Sequence, residues 1–577
     1  MKLPITLDFK VIPFHFVCLT MMKVGSCFEE KCLVIKKVVL LLTIIGKQIA
    51  KKCGQLPLSA VLVAGILAEM ENKVECWEQL ANNLGPHIHK DSRVDIEQSY
   101  QILPYHLRSR FLYFGTFLED NVIDVSKLTW LWISEGFVKS CEGKSLEDIA
   151  EGYLENLIGR NLVMGTKRSS GGKIKACRVH DLLHDFCKER AKEETRLLWQ
   201  KWDQNANPSS RLSGHVQLAH RMCIYGEGYR AGDWLSCLSH VVSIILHNNR
   251  LSLGLESYLF QSFKFLKVLD LEFTNIDSFP TDLVYLRYFA AQTRRSWISS
   301  FIENIWLLET LKLCNHRENM SLPVTLWKIV KLRHLHVSNC SITREIAEES
   351  IDNTKKLHDL RTLSTPCFSC VQEVEFILRK TPNLRELRCK VEGVDNFQYY
   401  VLNFPARIEK LKIHLSHTPE PKTIPFHITA PNLRNLTLKD FYLHPQHLSE
   451  IASLQNLQVL KLKGIYFESY KWKVRDGEFP QLRVLKLHAG QVHFEEWTVA
   501  DDAFPKLEHL VLSDCEYLKE IPCFGDISSL KSIELWNCNE YVDKSAKDIR
   551  ETQVEDYQNS DFEVFIHHQR KQNFRFS

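Results

Sequence analysis

Between residues 241 and 535, apolar side chains recur in one short phrase, apolar-x-x-apolar-x-apolar, written thirteen times about 24 residues apart. The sharpest copies are Leu308/Leu311/Leu313, Leu332/Leu335/Val337, Leu433/Leu436/Leu438, Leu457/Leu460/Leu462, Leu482/Leu485/Leu487 and Leu507/Leu510/Leu512. The end of each phrase alternates as a strand does, two leucines inward and the residue between them outward. One such strand cannot cover its own leucines; neighbours stacked at the same pitch can. The pattern predicts parallel strands of a leucine-rich-repeat solenoid over 236–545, about 13 repeats, with a long exposed sheet face suited to gripping a partner.

Upstream the period changes. From Gly46, Ile49 and Cys53 lead through Leu56-Pro57-Leu58 into an Ala/Val/Leu run ending at Leu67, which reads as helix. Pro57 sits in the first turn, where its missing N–H has no partner to lose. Residues 101–138 carry two helical stripes around a turn: Leu107, Phe111, Leu112 and Phe114, then Leu128, Leu131 and Trp132. Ser145 followed by Asp148 is a helix start of the capping-box kind, with Ile149, Tyr153, Leu154, Leu157 and Ile158 inward. Leu162–Met164 and Ile174–Val179 flank Ser169-Ser170-Gly171-Gly172, a hairpin signal, and another helix follows from His180. Helices with one small hairpin describe a winged-helix module over 100–195. The fold class is therefore α/β: a helical segment at 46–99, the winged helix, a connector at 196–235, then the solenoid. Residues 1–45 show no clear period and read as an atypical segment; 546–577 form a polar tail expected to fray.

Composition adds little that is specific. Over 577 residues, 45% hydrophobic and 25% charged content is that of an ordinary globular protein. A net charge of +3 does not imply nucleic acid or membrane binding. The 18 cysteines are scattered; Cys367 and Cys370 form one C-x-x-C with no second pair, so buried thiols in a reducing cytoplasm are expected rather than a zinc site. No run of about 18 apolar residues predicts a membrane span, which leaves peripheral association open.

The chain resembles one family, the plant nucleotide-binding leucine-rich-repeat immune receptors of the coiled-coil class, and within it the solanaceous late-blight-resistance group. Gly46 to Leu58 resembles their "GLPL" segment, with Gln55 at its second glycine. Tyr100-x-x-Leu103-Pro104-x-x-Leu107, Phe117-x-Glu119-Asp120 and Leu131-Trp132-x-Ser134-Glu135-Gly136-Phe137 are similar to their winged-helix signature. Val179-His180-Asp181 is similar to their "MHD" motif, and Leu510-x-Leu512-x-x-Cys515-x-x-Leu518-x-x-Ile521-Pro522 has the cytoplasmic repeat form. The resemblance implies a receptor that recognises a pathogen effector or guarded host protein, exchanges ADP for ATP and triggers defence and localised cell death. By resemblance, Pro57 would pack near adenine and His180 would meet a phosphate. A phosphate loop needs G-x-x-x-x-G-K-[ST]; here Gly143-Lys144-Ser145 has Val138 where the first glycine belongs. The chain therefore reads as the carboxy-terminal part of such a receptor, with no nucleotide expected on it.

No catalytic constellation stands out, and no enzyme is expected. His180 and His184 mimic a zinc-protease pair, with Asp181 one methylene shorter than the usual Glu base; helix capping explains the segment without a metal. The richest constellation is the outward residue of each phrase, in order Ile245, Asp270, Ala290, Lys312, His336, Ser364, Arg388, Lys412, Thr437, Lys461, Lys486, Val511 and Glu534. Lys312, His336, Arg388, Lys412, Lys461 and Lys486 make a basic stripe. It is either a solvated face or the seat of an acidic surface, on a ligand or on a full-length receptor. Two other readings remain, an F-box-like repeat adaptor of a ubiquitin ligase and a truncated decoy or regulator; the sparse glycosylation acceptors, such as Asn319-Met320-Ser321 and Asn435-Leu436-Thr437, argue against an extracellular repeat receptor.

Overall fold

The computed structural model describes residues 41–568 apart from 43, 50–56, 70–73, 84–91, 170, 204–218, 228–239, 248–254, 299–301, 303, 316–319, 343–355, 393–399, 405–406, 417–425, 468–469, 490–493, 523, 525–528, 556–558 and 560. Most of the atypical segment, the Gly54–Leu56 part of the "GLPL" stretch and the middle of the connector thus lie outside the described residues. The chain forms two compact units, one of residues up to 111 with 153–164 and one of residues 112–152 with 165 onward.

The first unit is helical. Pro57 opens the helix Pro57–Glu69, as its fixed φ favours, and Val74–Asn83 and Ser92–Ile102 follow. Leu42 and Ile45 pack with Ile49, Val63, Ile66, Trp77 and Ala81, so the boundary drawn at 45/46 cuts through a core. A Cβ on Gly65 would stand 2.3 Å from the carbonyl oxygen of Arg160, an approach only glycine permits.

In the second unit, the helix Val125–Ser134 is capped by Asp124, whose carboxylate accepts from Lys127 N at 3.0 Å. Ser145 Oγ donates to Asp148 at 2.6 Å and accepts from Asp148 N at 3.2 Å, a reciprocal cap that starts the helix Leu146–Gly159. The wing is Met164–Arg168 with Ile174–Arg178, the latter also paired antiparallel to Ile123–Asp124. His180 then opens the helix Asp181–Glu194.

Among the described residues a parallel sheet of 17 strands follows. Leu436, Leu460, Leu485 and Leu510 are register partners on successive strands, each fully buried. The sheet exceeds the predicted span at both ends. Leu197–Asp203 and Arg221–Glu227, assigned to a connector, pair parallel ahead of Ser243–Leu246. Glu563–His567, assigned to the fraying tail, pairs with Ser532–Trp536. Before it, the helix Glu540–Glu555 lays Val542, Ala546 and Ile549 on the last repeat. An open solenoid end must be covered, and a mostly polar helix with one apolar stripe does so.

Leu460→Ala should cost about 2–5 kcal/mol, read as a lower urea midpoint. Because each repeat touches only its neighbours, amide exchange should quicken most in Asn435–Lys439 and Val484–His488. Uniform quickening across the sheet would contradict that nearest-neighbour account.

Candidate functional site on the outward face of the sheet

All thirteen predicted outward residues are register partners in sequence order, from Ile245 and Asp270 to Val511 and Glu534, without a slip at that position. The row extends to Cys223 and Trp199 at one end and Phe565 at the other. Side-chain alternation places them there.

The row is not uniformly open, because the winged helix lies over its first half. Trp199 Nε1 donates to the Gly115 carbonyl at 2.7 Å, and His247 Nε2 to the Thr116 carbonyl at 2.7 Å. Lys127 Nζ lies 2.6 Å from both Asp270 and Glu272, and Lys312 reaches the other Glu272 oxygen. Burial alone would lower the Lys127 pKa; Asp270 first and Glu272 next outweigh it and hold the amine charged. Arg221 pairs with Glu135 at 2.9 Å and lies over the Phe137 ring. Trp130 stacks on His334 and lies tilted against His336, ring centroids 4.6 and 4.7 Å away.

The first turn of Leu146–Gly159 supplies the outermost contacts. Glu147 takes two bonds from Arg333, each 2.8 Å, and one from His334 Nε2 at 3.1 Å. Asp148 lies 3.4 Å from Arg385. His334 Nδ1 is 2.9 Å from Thr362 Oγ1, which is 3.2 Å from His336 Nε2. One hydroxyl proton serves this chain if Thr362 donates to His334 and accepts from His336, so both rings are neutral with the proton on Nε2. Burial keeps His334 below its ordinary pKa despite Glu147, and so the ion pair proper is Glu147–Arg333.

Acid should open this contact. Burial, then repulsion from His334 and Arg388, holds His336 at about 3 instead of 6.5. A depressed histidine favours the covered state fully above pH 6.5, and the advantage is lost as pH falls from 6.5 toward 3. Burial tends to raise the Glu147 pKa, but bonds from His334 and Arg333 hold it low, so its contribution also fades on acidification, below its ordinary 4.5. At pH 5, His336 alone shifts the balance toward opening by about 2 kcal/mol. Amide exchange in Val125–Ser134 should therefore quicken from pH 7 to pH 5 after correction for intrinsic rates, and His336→Gln should flatten the dependence.

Beyond Ser364 the row is more open among the described residues. Lys412 is exposed, and Lys461 and Lys486 are half-buried. Arg388 is tied to Glu386. Of the six stripe residues, Lys312 and His336 are therefore engaged within the chain and Arg388 is paired on its own strand, which leaves Lys412, Lys461 and Lys486. Burial, then Lys175 of the wing and Lys486, lowers Lys461 to about 8.

Pro57 lies in the first unit and His180 in the second. His180 Nδ1 accepts from Leu182 N at 3.3 Å, the capping role. His184 is buried, its Nε2 2.9 Å from the Phe117 carbonyl oxygen, so the two imidazoles do not converge on a metal. One free imidazole nitrogen does not make a phosphate site, which needs several converging N–H donors. Sequence reasoning missed Lys127, Trp130, Glu147 and Arg333. The available signal was a lysine within a helix whose other faces are apolar; Glu147 was hidden by the capping motif beside it.

Residues 116–187 match the family model of the disease resistance protein winged helix domain. Over 538 residues the chain is 53% identical to a putative late blight resistance protein homolog, R1B-16, of Solanum demissum, covering 91% of this chain and 41% of that protein. It is 52% identical to late blight resistance protein R1-A of the same plant, covering 91% and 42%. The chain spans about two-fifths of the length of these relatives. A solved internalin from Listeria monocytogenes aligns at 14% identity and TM-score 0.36, over 62% of this chain and 89% of that one; at that level the likeness carries no weight beside the strand pairing above.

Proposed function

We propose that, over the stretch it shares with these relatives, the chain belongs with the late blight resistance proteins of plants, and that its repeat sheet is the recognition face of an immune receptor. The partner is a pathogen effector or a guarded host protein. The single observation that carries this reading is the division of the face: the winged helix holds the half from Trp199 to His336, and the half from Lys412 to Lys486 is open. A partner seated on the open half lies next to the Glu147–Arg333 and Asp148–Arg385 contacts and competes with them for the same sheet. Recognition is thereby coupled to release of the winged helix, which is the event a signalling module can read.

Supporting an intracellular setting, Cys177, Cys223 and Cys389 are free and buried, and burial raises each thiol pKa. Among the described residues no helix is long and apolar enough to cross a membrane. We assign no nucleotide to this stretch.

The test is exchange coupled to binding. With a cognate effector added, amides of Val125–Ser134 should exchange faster and those of Val459–Lys463 more slowly. Protection of both, or of neither, would reject the coupling.

A further inference from the structure

We propose that the open half of the sheet docks an acidic, carboxylate-bearing face of a protein partner, held by Lys412, Lys461, Lys463 and Lys486. The proposal rests on the reading of the sheet as a recognition face and names the chemistry of what sits there.

Five adjacent strands, Glu386–Val391, Lys410–Leu415, Asn435–Lys439, Val459–Lys463 and Val484–His488, present three outward positions each, fifteen in all. Eight are Lys or Arg (Arg388, Lys390, Lys410, Lys412, Lys439, Lys461, Lys463, Lys486) and one, Glu386, is acidic. Glu386 is consumed by Arg388 and Lys410, and Asp440 by His414 and Lys439. Lys412, Lys461, Lys463 and Lys486 have no carboxylate partner among the described residues. Burial and mutual repulsion act on Lys412 as on Lys461, lowering both amines. Holding this charge uncompensated costs free energy that an arriving anion relieves.

Two features select a carboxylate face over a nucleic acid. None of the fifteen side chains is Phe, Tyr or Trp, so there is no stacking platform for bases. Seven lysines to one arginine provide point charges rather than the planar fork that grips phosphate by two bonds. The spacing agrees: neighbouring strands lie about 4.8 Å apart, and carboxylates one helical turn apart are separated by about 5.4 Å along the axis. The chain already seats carboxylates on basic side chains of the same sheet, where Glu147 and Asp148, neighbours in the first turn of one helix, meet Arg333 and Arg385.

The full chain is titrated against a fluorescently labelled helical peptide bearing glutamates at i, i+3 and i+4. Anisotropy should report binding that weakens with salt. Lys412→Glu, Lys461→Glu and Lys486→Glu combined should weaken it by about tenfold or more. Reversal of the exposed Lys331, Lys506 and Lys544, which lie off the five strands, should leave it unchanged. A bound carboxylate keeps the Lys461 amine protonated, whereas the free amine gives up its proton near pH 8, so affinity should be full below pH 8 and fall as pH rises through it. Lys461→Gln, which adds no new charge, should remove that dependence and keeps a readout should the triple variant fold poorly. No binding to the wild-type chain, or unchanged affinity in the triple variant, overturns the proposal. So does displacement of the peptide by a single-stranded oligonucleotide or inorganic polyphosphate at lower concentration. Failure here leaves the winged-helix coupling intact, since that is read separately in exchange of Val125–Ser134.

Discussion

Lys127→Met should destabilise the second unit by about 3–5 kcal/mol, the cost of leaving a buried charge without its partner. Lys127 is a cation shared by two carboxylates, one of which, Asp270, is 1% exposed. Removing it strands Asp270 under the winged helix, with Glu272 keeping Lys312 alone. Methionine preserves the stem and its packing, so the loss reports charge rather than a cavity. The triple variant Lys127→Met, Asp270→Asn and Glu272→Gln should recover most of the stability, because it removes the charges together. Urea unfolding at pH 7 measures both. A loss below about 1 kcal/mol would place Lys127 among ordinary surface pairs and remove the main electrostatic tie of the winged helix to the sheet.

Glu147→Ala should have the next largest effect, about 2–4 kcal/mol, discounted from a fully buried pair because Arg333 and Glu147 retain 10% and 17% exposure. It removes both Arg333 bonds and the His334 bond together. The damage should be local: amides of Val125–Ser134 should exchange faster, while strands from Asn435 onward keep their rates. Trp130→Ala in the same background should add less than it does alone, since both side chains bear on His334 and coupled sites are not additive. Full additivity would mean that the ring stack and the ion pair act separately.

These effects fall on residues whose roles were hidden in the linear chain, whereas the repeat scaffold was plain in it. A leucine at a fixed interval has one way to be buried, so spacing alone aligns Leu436, Leu460 and Leu485 and the outward row between them. The ends were harder to read. Met222 and Ile224 stand in the second strand where the later repeats carry leucine, and Val542, Ala546 and Ile549 are diluted among charges. Position in a stack, rather than composition, gave those residues their roles.

By itself the amino-acid pattern determined which residues face outward along the sheet and that a basic run occupies the middle of the row. Period and alternation are local properties, and side-chain direction follows from them. Only the tertiary structure decided which of those charges are available. Lys312 and His336 belong to the same row as Lys461 and Lys486, yet Glu272 holds Lys312 and Trp130, far upstream in the chain, lies against His336, while Lys461 and Lys486 stay half-exposed without a carboxylate partner among the described residues. Electrostatic partnership depends on distances of a few ångströms across the fold, and no spacing within a single repeat encodes them.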